Sequence, residues 1–369
     1  MNMSAPPALE TLGSVRFETP AILKRLVSAH RQLAEFKGVA ASMPNQAILL
    51  NTLALQEAKD SSEIENIITT HDELFREVAL DRTTTPAAKE VARYNHALRV
   101  GFELVRSTDL LTGNHIVQIQ AALEKNRAGY RKVPGTVLKS SSGHVVYTPP
   151  SPEALPGLMS DLERFINDDT LLDADPLIKM ALIHHQFESI HPFYDGNGRT
   201  GRIVNVLYLV KQGLLDIPVL YLSRAIVRSK VDYYRLLQSV REQNRWEDWV
   251  LYMLGAVERT AADGIVTIQA IKAAMLDYKH RIRAGHKFYS QDLINNLFSH
   301  PYTKIEFLQR DLKVSRLTAT RYLDVLTADG FLHKRKVGRS NYYINIPLFH
   351  ILAGEPEISQ PQIASSRQN

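Results

Sequence analysis

The stretch that leaves this chain least freedom in how it folds is His-Pro-Phe-Tyr-Asp-Gly-Asn-Gly-Arg-Thr-Gly-Arg at residues 191–202. Residues 181–190 hold neither glycine nor proline and read as a helix that Pro192 must end. Residues 200–209 read as a second helix, with apolar Ile203, Val204, Val206 and Leu207 at helical spacing. The chain therefore has to build a helix–loop–helix unit whose loop opens at a helix N-terminus. Unpaired backbone N–H groups and the positive end of the helix dipole favour an anion there.

The residue types in the loop suit phosphate chemistry. Gly196 and Gly198 can take positive φ and let the backbone approach a ligand, forming a nest for phosphate oxygens. Asn197 is expected to shape that nest and donate to an oxygen. Arg199 and Arg202, three apart, share a face of the first helical turn and suit a polyphosphate clamp. Asp195 is a hard oxygen ligand for Mg²⁺. His191, with an ordinary pKa of about 6.5, is the candidate base for an attacking hydroxyl. Zinc held by His184, His185 and His191 is rejected, because no His-Glu-x-x-His or cysteine accompanies them.

The pattern His-Pro-Phe-x-Asp-Gly-Asn-Gly-Arg-x-x-Arg resembles the signature of the Fic (Fido) family at every defining position. The resemblance covers roughly residues 110–256. It implies transfer of AMP from ATP to a serine, threonine or tyrosine hydroxyl of a target protein, with release of pyrophosphate. Carried over by position, it implies that His191 is the general base and Phe193 a buried anchor. Asp195 would bind Mg²⁺, and Gly196, Asn197 and Gly198 would form the anion hole. Arg199 and Arg202 would hold the β- and γ-phosphates, with Thr200 and Gly201 counted in the same ATP-binding stretch.

Upstream, Ser-Ser-Glu-Ile-Glu-Asn at residues 61–66 follows a run of good helix formers at 54–59. Ser61 or Ser62 is expected to cap the turn there. A solvated acidic helix face is the competing reading, since Asp60, Glu63, Asp72 and Glu73 lie nearby. The segment matches the family's inhibitory pattern Ser/Thr-x-x-x-Glu-Gly/Asn through Ser61, Glu65 and Asn66. The resemblance implies that Glu65 pairs with Arg202 in place of the γ-phosphate.

Residues 135–150 hold β-branched residues on both sides of a Ser-Ser-Gly turn, a hairpin signal ended by Pro149 and Pro150. Its strands are expected over Val137, Leu138, Lys139 and Ser140, and over 145–147. By resemblance it is the flap that covers the nucleotide and docks the target by backbone pairing. Tyr233 and Tyr234 would lie near the adenine, although core packing suits one of the two rings nearly as well. Some relatives carry an asparagine near the adenine where this chain has Arg241.

The expected fold class is mainly α: a Fic/Fido helical bundle with a β-hairpin flap, plus a C-terminal winged helix-turn-helix domain. Helices are expected over 22–36, 47–58, 87–104, 115–125, 155–166 and 176–190. With 369 residues the chain divides into an N-terminal helical region (1–109), a catalytic core (110–256), a connecting helix (257–289), a winged domain (290–352) and a disordered tail (353–369). There is no cysteine, which excludes disulfides and thiolate chemistry. No apolar run approaches the roughly 18 residues of a membrane span. A cytoplasmic location is expected.

In the C-terminal part, residues 305–311 and 316–329 read as helix–turn–helix with Ser315 as N-cap, and 331–336 with 342–346 as a two-stranded wing. Residues 291–350 contain nine Lys/Arg and five Asp/Glu. A DNA reading places Arg316, Thr320 and Arg321 on the reading helix and Lys334, Arg335, Lys336 and Arg339 on phosphates. The alternative is a protein-docking or dimerisation module. Two function classes follow: an adenylyltransferase restrained by Glu65, or a DNA-binding regulator whose core senses nucleotide. Within the enzyme class, removal of AMP with Glu65 positioning a water is a further alternative. A homodimer, self-AMPylation and no membrane partner complete the expectations.

Overall fold

Helix starts follow the capping residues closely. Thr19, Thr85, Thr112, Asp175, Ser290, Ser315 and Asn345 each accept a first-turn backbone N–H on the side chain. Proline follows at the first helical position after Thr19, Thr85 and Asp175. The computed structural model describes residues 6–79, 85–139, 142–337 and 340–354. Ser140, Arg339 and the tail from residue 355, all part of the sequence expectations, lie outside the described residues.

The N-terminal helices are α1 (Pro20–Ala41), α2 (Ala47–Ile64), α3 (His71–Ala79), α4 (Pro86–Thr108) and α5 (Gly113–Glu124). A hairpin of β1 (Leu138–Lys139) and β2 (Val145–Tyr147) follows, then α6 (Leu155–Asn167), α7 (Pro176–Ile190) and α8 (Asn197–Lys211). Next come α9 (Ser223–Arg228), α10 (Lys230–Gln243) and α11 (Trp246–Gly285), the last 40 residues long. The C-terminal part is α12 (Gln291–Ser299), β3 (Tyr302–Thr303), α13 (Ile305–Leu312), α14 (Arg316–Ala328), β4 (His333–Val337), β5 (Ser340–Ile344) and α15 (Ile346–Ala353).

Helix α7 is the centre of the molecule. Every residue from Leu177 to Ile190 is buried, so it has no solvent face and carries apolar residues all round. It packs on α6, α8 and α11, and the Trp249 indole donates to the Ala181 carbonyl at 2.8 Å. Leu182, Phe187 and Ile203 are fully buried at this junction, each contributing roughly 1.5–3 kcal/mol of burial. Helix α1 lies along α11, and α4 packs against α2, α5 and α8. That layer brings α2 and its C-terminal turn to the first turns of α8.

Several expectations change in the structure. Helix α2 runs on to Ile64, so Ser61 and Ser62 sit inside its last turn and cap nothing. Helix α11 passes unbroken through residues 256 and 257, where a domain boundary was expected. Helix α3, absent from the expected elements, follows the 61–66 segment. The C-terminal sheet has three strands in the order β3-β5-β4, because Tyr302 and Thr303 pair with Ile344 and Tyr343. Ser315 caps α14 as expected, accepting the Thr318 N–H at 3.2 Å.

Candidate active site

Helix α7 ends where His191 turns into the left-handed region, φ 49° and ψ 60°, with its N–H still donating to Phe187 at 2.9 Å. Pro192 then prevents any continuation. A buried arginine braces this turn. Arg131 Nε donates to the His191 carbonyl at 2.9 Å, its N–H donates to the Pro192 carbonyl at 2.9 Å, and Nη2 donates to Pro150 at the foot of the hairpin. Burial, then the charges of Arg241 and Arg131, push the His191 pKa down to about 4. The imidazole is therefore neutral at neutral pH, the form that accepts a proton.

Phe193 is fully buried, 5.6 Å from the Tyr130 ring and 6.3 Å from Phe187. Asn197 uses both ends of its amide on Phe193: Oδ1 accepts the N–H and Nδ2 donates to the carbonyl, each at 2.9 Å. The side chain thus shapes the loop, with one of its two Nδ2 hydrogens committed to the Phe193 carbonyl. Gly196 caps α8 with φ 77°, and a Cβ there would meet Glu124. Gly198 is helical. Its need for no side chain comes from crowding, since a Cβ would collide with Glu65 Oε1 and lie 2.9 Å from Arg202 Nη1. Thr200 is fully buried, and a Cβ on Gly201 would sit 3.0 Å from the Phe187 ring, so both support the loop from behind.

Asp195 is the exposed member, its side chain 76% accessible, with Oδ1 accepting the Gly196 N–H at 2.7 Å. A hard, accessible carboxylate beside a helix N-terminus fits Mg²⁺ shared with phosphate oxygens. Arg199 is buried among carboxylates: it hydrogen-bonds Glu90 of α4, pairs with Glu124 of α5 at 3.0 Å, and lies 3.6 Å from Asp195. Arg202 is 1% exposed. Its Nη2 pairs with Glu65 Oε1 at 3.0 Å and donates to the Ser61 carbonyl at 2.9 Å, while Nε donates to Ser61 Oγ at 2.8 Å. Burial alone would raise the Glu65 pKa, but Arg202, with Arg199 and Lys230, outweighs it and holds the carboxyl below its ordinary value. Asn66, at φ 62°, accepts from Lys230 at 2.9 Å, tying the segment to α10. Buried Glu188, on the α7 face toward Arg202 and Glu65, is pushed up to about 7 by desolvation.

The hairpin pairs Leu138 with Tyr147 and Lys139 with Val145. Tyr147 is buried, its hydroxyl donating to the Ser189 carbonyl at 2.8 Å, and Gln238 donates to the Val146 carbonyl at 3.0 Å. Val137, Val145 and Val146 stay exposed beside the site. Arg241 lies over the Tyr147 ring at 3.9 Å and donates to Ser189 and to the Glu188 carbonyl, stitching the hairpin, α7 and α10 together. Tyr233 is 1% exposed, its hydroxyl 2.8 Å from His184 Nε2, and belongs to the core. Tyr234 is the exposed ring of the pair. His185 Nε2 faces the Leu237 carbonyl at 3.3 Å, so neither it nor His184 turns toward His191 as a ligand set.

Sequence reading missed Glu90, Glu124, Arg131 and Glu188. Only Glu188 carried a local signal, as the sole carboxylate of residues 176–190.

Residues 23–103 match the Fic/DOC family N-terminal domain, and residues 110–209 match the Fic/DOC family domain. Residues 275–348 match the C-terminal domain of SoFic-like protein adenylyltransferases. The chain is 29% identical over 177 residues to a probable protein adenylyltransferase of Aquifex aeolicus, covering 46% of this chain and 51% of that one. It is 34% identical over 91 residues to protein adenylyltransferase fic-1 of Caenorhabditis elegans, covering 25% of this chain and 17% of that one. The chain thus spans about half, or less, of the length of these curated relatives. A solved Fic family protein from Desulfovibrio desulfuricans shares the fold, with a TM-score of 0.58 at 21% identity over 88% of this chain and 96% of that one.

Proposed function

Because the chain belongs to the Fic/DOC family, we propose that it is a protein adenylyltransferase that moves AMP from ATP to a hydroxyl side chain of a target protein. The observation that carries this reading is the buried Arg202, met at 3.0 Å by Glu65 on the face that an incoming terminal phosphate would need. In the reaction, neutral His191 takes the proton of the target hydroxyl, whose oxygen attacks the α-phosphorus. The bond to the bridging oxygen of the β-phosphate breaks, and pyrophosphate leaves. The N-terminus of α8 and the two arginines hold the phosphates. Asp195 would hold Mg²⁺, which supplies charge neutralisation to the phosphate chain.

Glu65 acts as a tethered anion in place of the γ-phosphate, so the resting protein is inhibited. The exposed hairpin edge with Val145 and Val146 suits docking of a target segment. Tyr234 is the remaining candidate for an adenine contact. By resemblance, the reading extends to self-modification and to a homodimer, which mass spectrometry and sedimentation test. The cysteine-free composition suits a cytoplasmic enzyme; among the described residues no helix is long and apolar enough to cross a membrane.

The C-terminal region suits protein docking better than DNA. Three of its proposed DNA contacts each pair with a carboxylate of the same chain: Arg316 with Glu306, Lys334 with Asp324 and Arg335 with Asp72. The Asp72 contact joins the hairpin to α3.

The deciding experiment is AMP incorporation from α-labelled ATP with Mg²⁺ in wild type, Glu65→Gly and Glu65→Gly/His191→Ala. Strong labelling in Glu65→Gly alone is expected. If all three stay unlabelled while ATP still binds, the transferase reading gives way to nucleotide sensing. Loss of AMP from a labelled target in wild type would favour the reverse reaction, for which ionised, partly exposed Glu65 is suitably placed.

A further inference from the structure

Glu57, Ser61 and Glu65 follow one another at intervals of four along α2 and its cap, and so share one face. Glu65 meets Arg202 from the side open to solvent, whereas Ser61 meets it from behind, through both Oγ and the carbonyl. Behind Ser61 the contacts continue. The Ser61 hydroxyl adjoins the Tyr94 hydroxyl. Tyr94 donates to Glu57 Oε1 at 3.0 Å, and Glu57 Oε2 accepts the backbone N–H of Ser223, at the start of α9, at 3.0 Å. Glu57 is 2% exposed, Arg202 1%, and Ser61, Tyr94 and Ser223 are fully buried.

Each donor in this series points away from the arginine and toward the carboxylate. That direction has a chemical cause. In its ionised form Glu57 only accepts, so Tyr94 then donates to it, and the Tyr94 oxygen is left to accept from Ser61. Ser61 then presents a lone pair to the Arg202 Nε–H. A neutral amide or an apolar residue at position 57 would pack, but would not fix this polarity. Glu57 meets no cation in its hydrogen-bonded surroundings, and burial raises its pKa to about 7, so it is a costly residue to keep for packing alone. Chained donors of this kind also polarise one another.

We propose that Glu57, Tyr94 and Ser61 are positioning residues that fix the Arg202 guanidinium through a one-way hydrogen-bond chain, leaving its remaining N–H groups aimed at the terminal phosphate of the nucleotide. The inference rests on the reading that Arg202 binds that phosphate. It separates two jobs within one helix: Glu65 competes with the nucleotide, while Ser61, backed by Tyr94 and Glu57, prepares the arginine for it.

The test uses the full chain carrying Glu65→Gly, so that no tethered carboxylate competes. Tyr94→Phe and Glu57→Gln keep side-chain volume and are made separately. Solvent exchange of the Arg202 Nε–H is read by NMR, and the dissociation constants of ATP and ADP by titration. The expected result is about tenfold faster Nε–H exchange and about tenfold weaker ATP binding, with ADP changed less than about twofold. ADP is the control because it lacks the phosphate that Arg202 is argued to meet. Unchanged Nε–H exchange in both variants overturns the proposal, as does equal weakening of ATP and ADP, which is the mark of general damage. Faster exchange with both dissociation constants unchanged upholds the positioning chain and removes instead the γ-phosphate role of Arg202.

Discussion

At the α7–α8 junction, Arg199 and Arg202 have side chains 3% and 1% exposed and meet carboxylates from α4, α5 and the end of α2. On the β4–β5 hairpin, Lys334 and Arg335 are 37% and 49% exposed and each meets one carboxylate. Both regions are rich in cations, yet their energetics differ. A buried guanidinium has given up its water and depends on each partner, so breaking its pairing is costly. An exposed pair exchanges one partner for solvent and contributes little. Counting positive charges along the chain therefore points at the wrong region: the consequential cations lie where the helices close over them.

The contrast can be broken most directly by removing one cation from each region. Arg202→Ala is expected to destabilise the fold by about 3–5 kcal/mol, because Glu65 and Glu188 are left beside it without their countercharge. Chemical denaturation measures this, and a loss under about 1 kcal/mol would erase the distinction between the two regions. Next in size is Glu65→Gly, which frees the anion face of Arg202 and should tighten ATP about 10- to 100-fold. Calorimetric titration of both proteins checks it; equal affinities would mean that Glu65 does not compete.

The third prediction concerns pH. Burial and the flanking Arg241 and Arg131 hold the His191 pKa near about 4. Labelling by Glu65→Gly should therefore persist well below the ordinary histidine range and lose its base only as pH approaches that value. The same lowering means that the unfolded chain protonates first, so the His191 contribution to stability is present above about 6.5 and lost as pH falls toward the folded value. A rate profile whose acid limb sits at an ordinary histidine pKa would contradict this electrostatic account. The smallest effect belongs to the hairpin: Arg335→Ala should cost under about 1 kcal/mol and leave ATP affinity unchanged. A larger loss would show that the Asp72 contact, and with it the seating of the hairpin on α3, carries more than an exposed ion pair should.

Much of the site was legible because it is local. The helix into His191, the stop at Pro192, the left-handed Gly196 and the two arginines of α8 all follow from nearest-neighbour rules, as do the Ser315 cap and the His191 to Arg202 spacing. Glu65 was legible only through its short motif. What escaped was of two kinds. Asn197 was read as shaping the nest and donating to an oxygen; which backbone groups its amide shapes, the N–H and carbonyl of Phe193, was not legible. For Tyr233 and Tyr234 the sequence left open an adenine contact or, for one ring, core packing; the structure packs Tyr233 against His184 and Trp249. Helix α11 escaped division because no residue near 256 breaks its periodicity.

By itself, the sequence determined which chemical groups converge at residues 191–202 and that they stand at a helix N-terminus, since both depend on backbone preferences acting over a few residues. Only the tertiary structure decided what each group meets. Glu65 reaches Arg202 across 137 positions and Glu90 reaches Arg199 across 109. His191 owes its neutral form first to burial and then to Arg241 of α10 and Arg131. Contacts at such separations have no periodic signature; they exist because α7 is buried on every side and the helices packed around it bring distant carboxylates and arginines to one place, where the loss of water makes their pairing count.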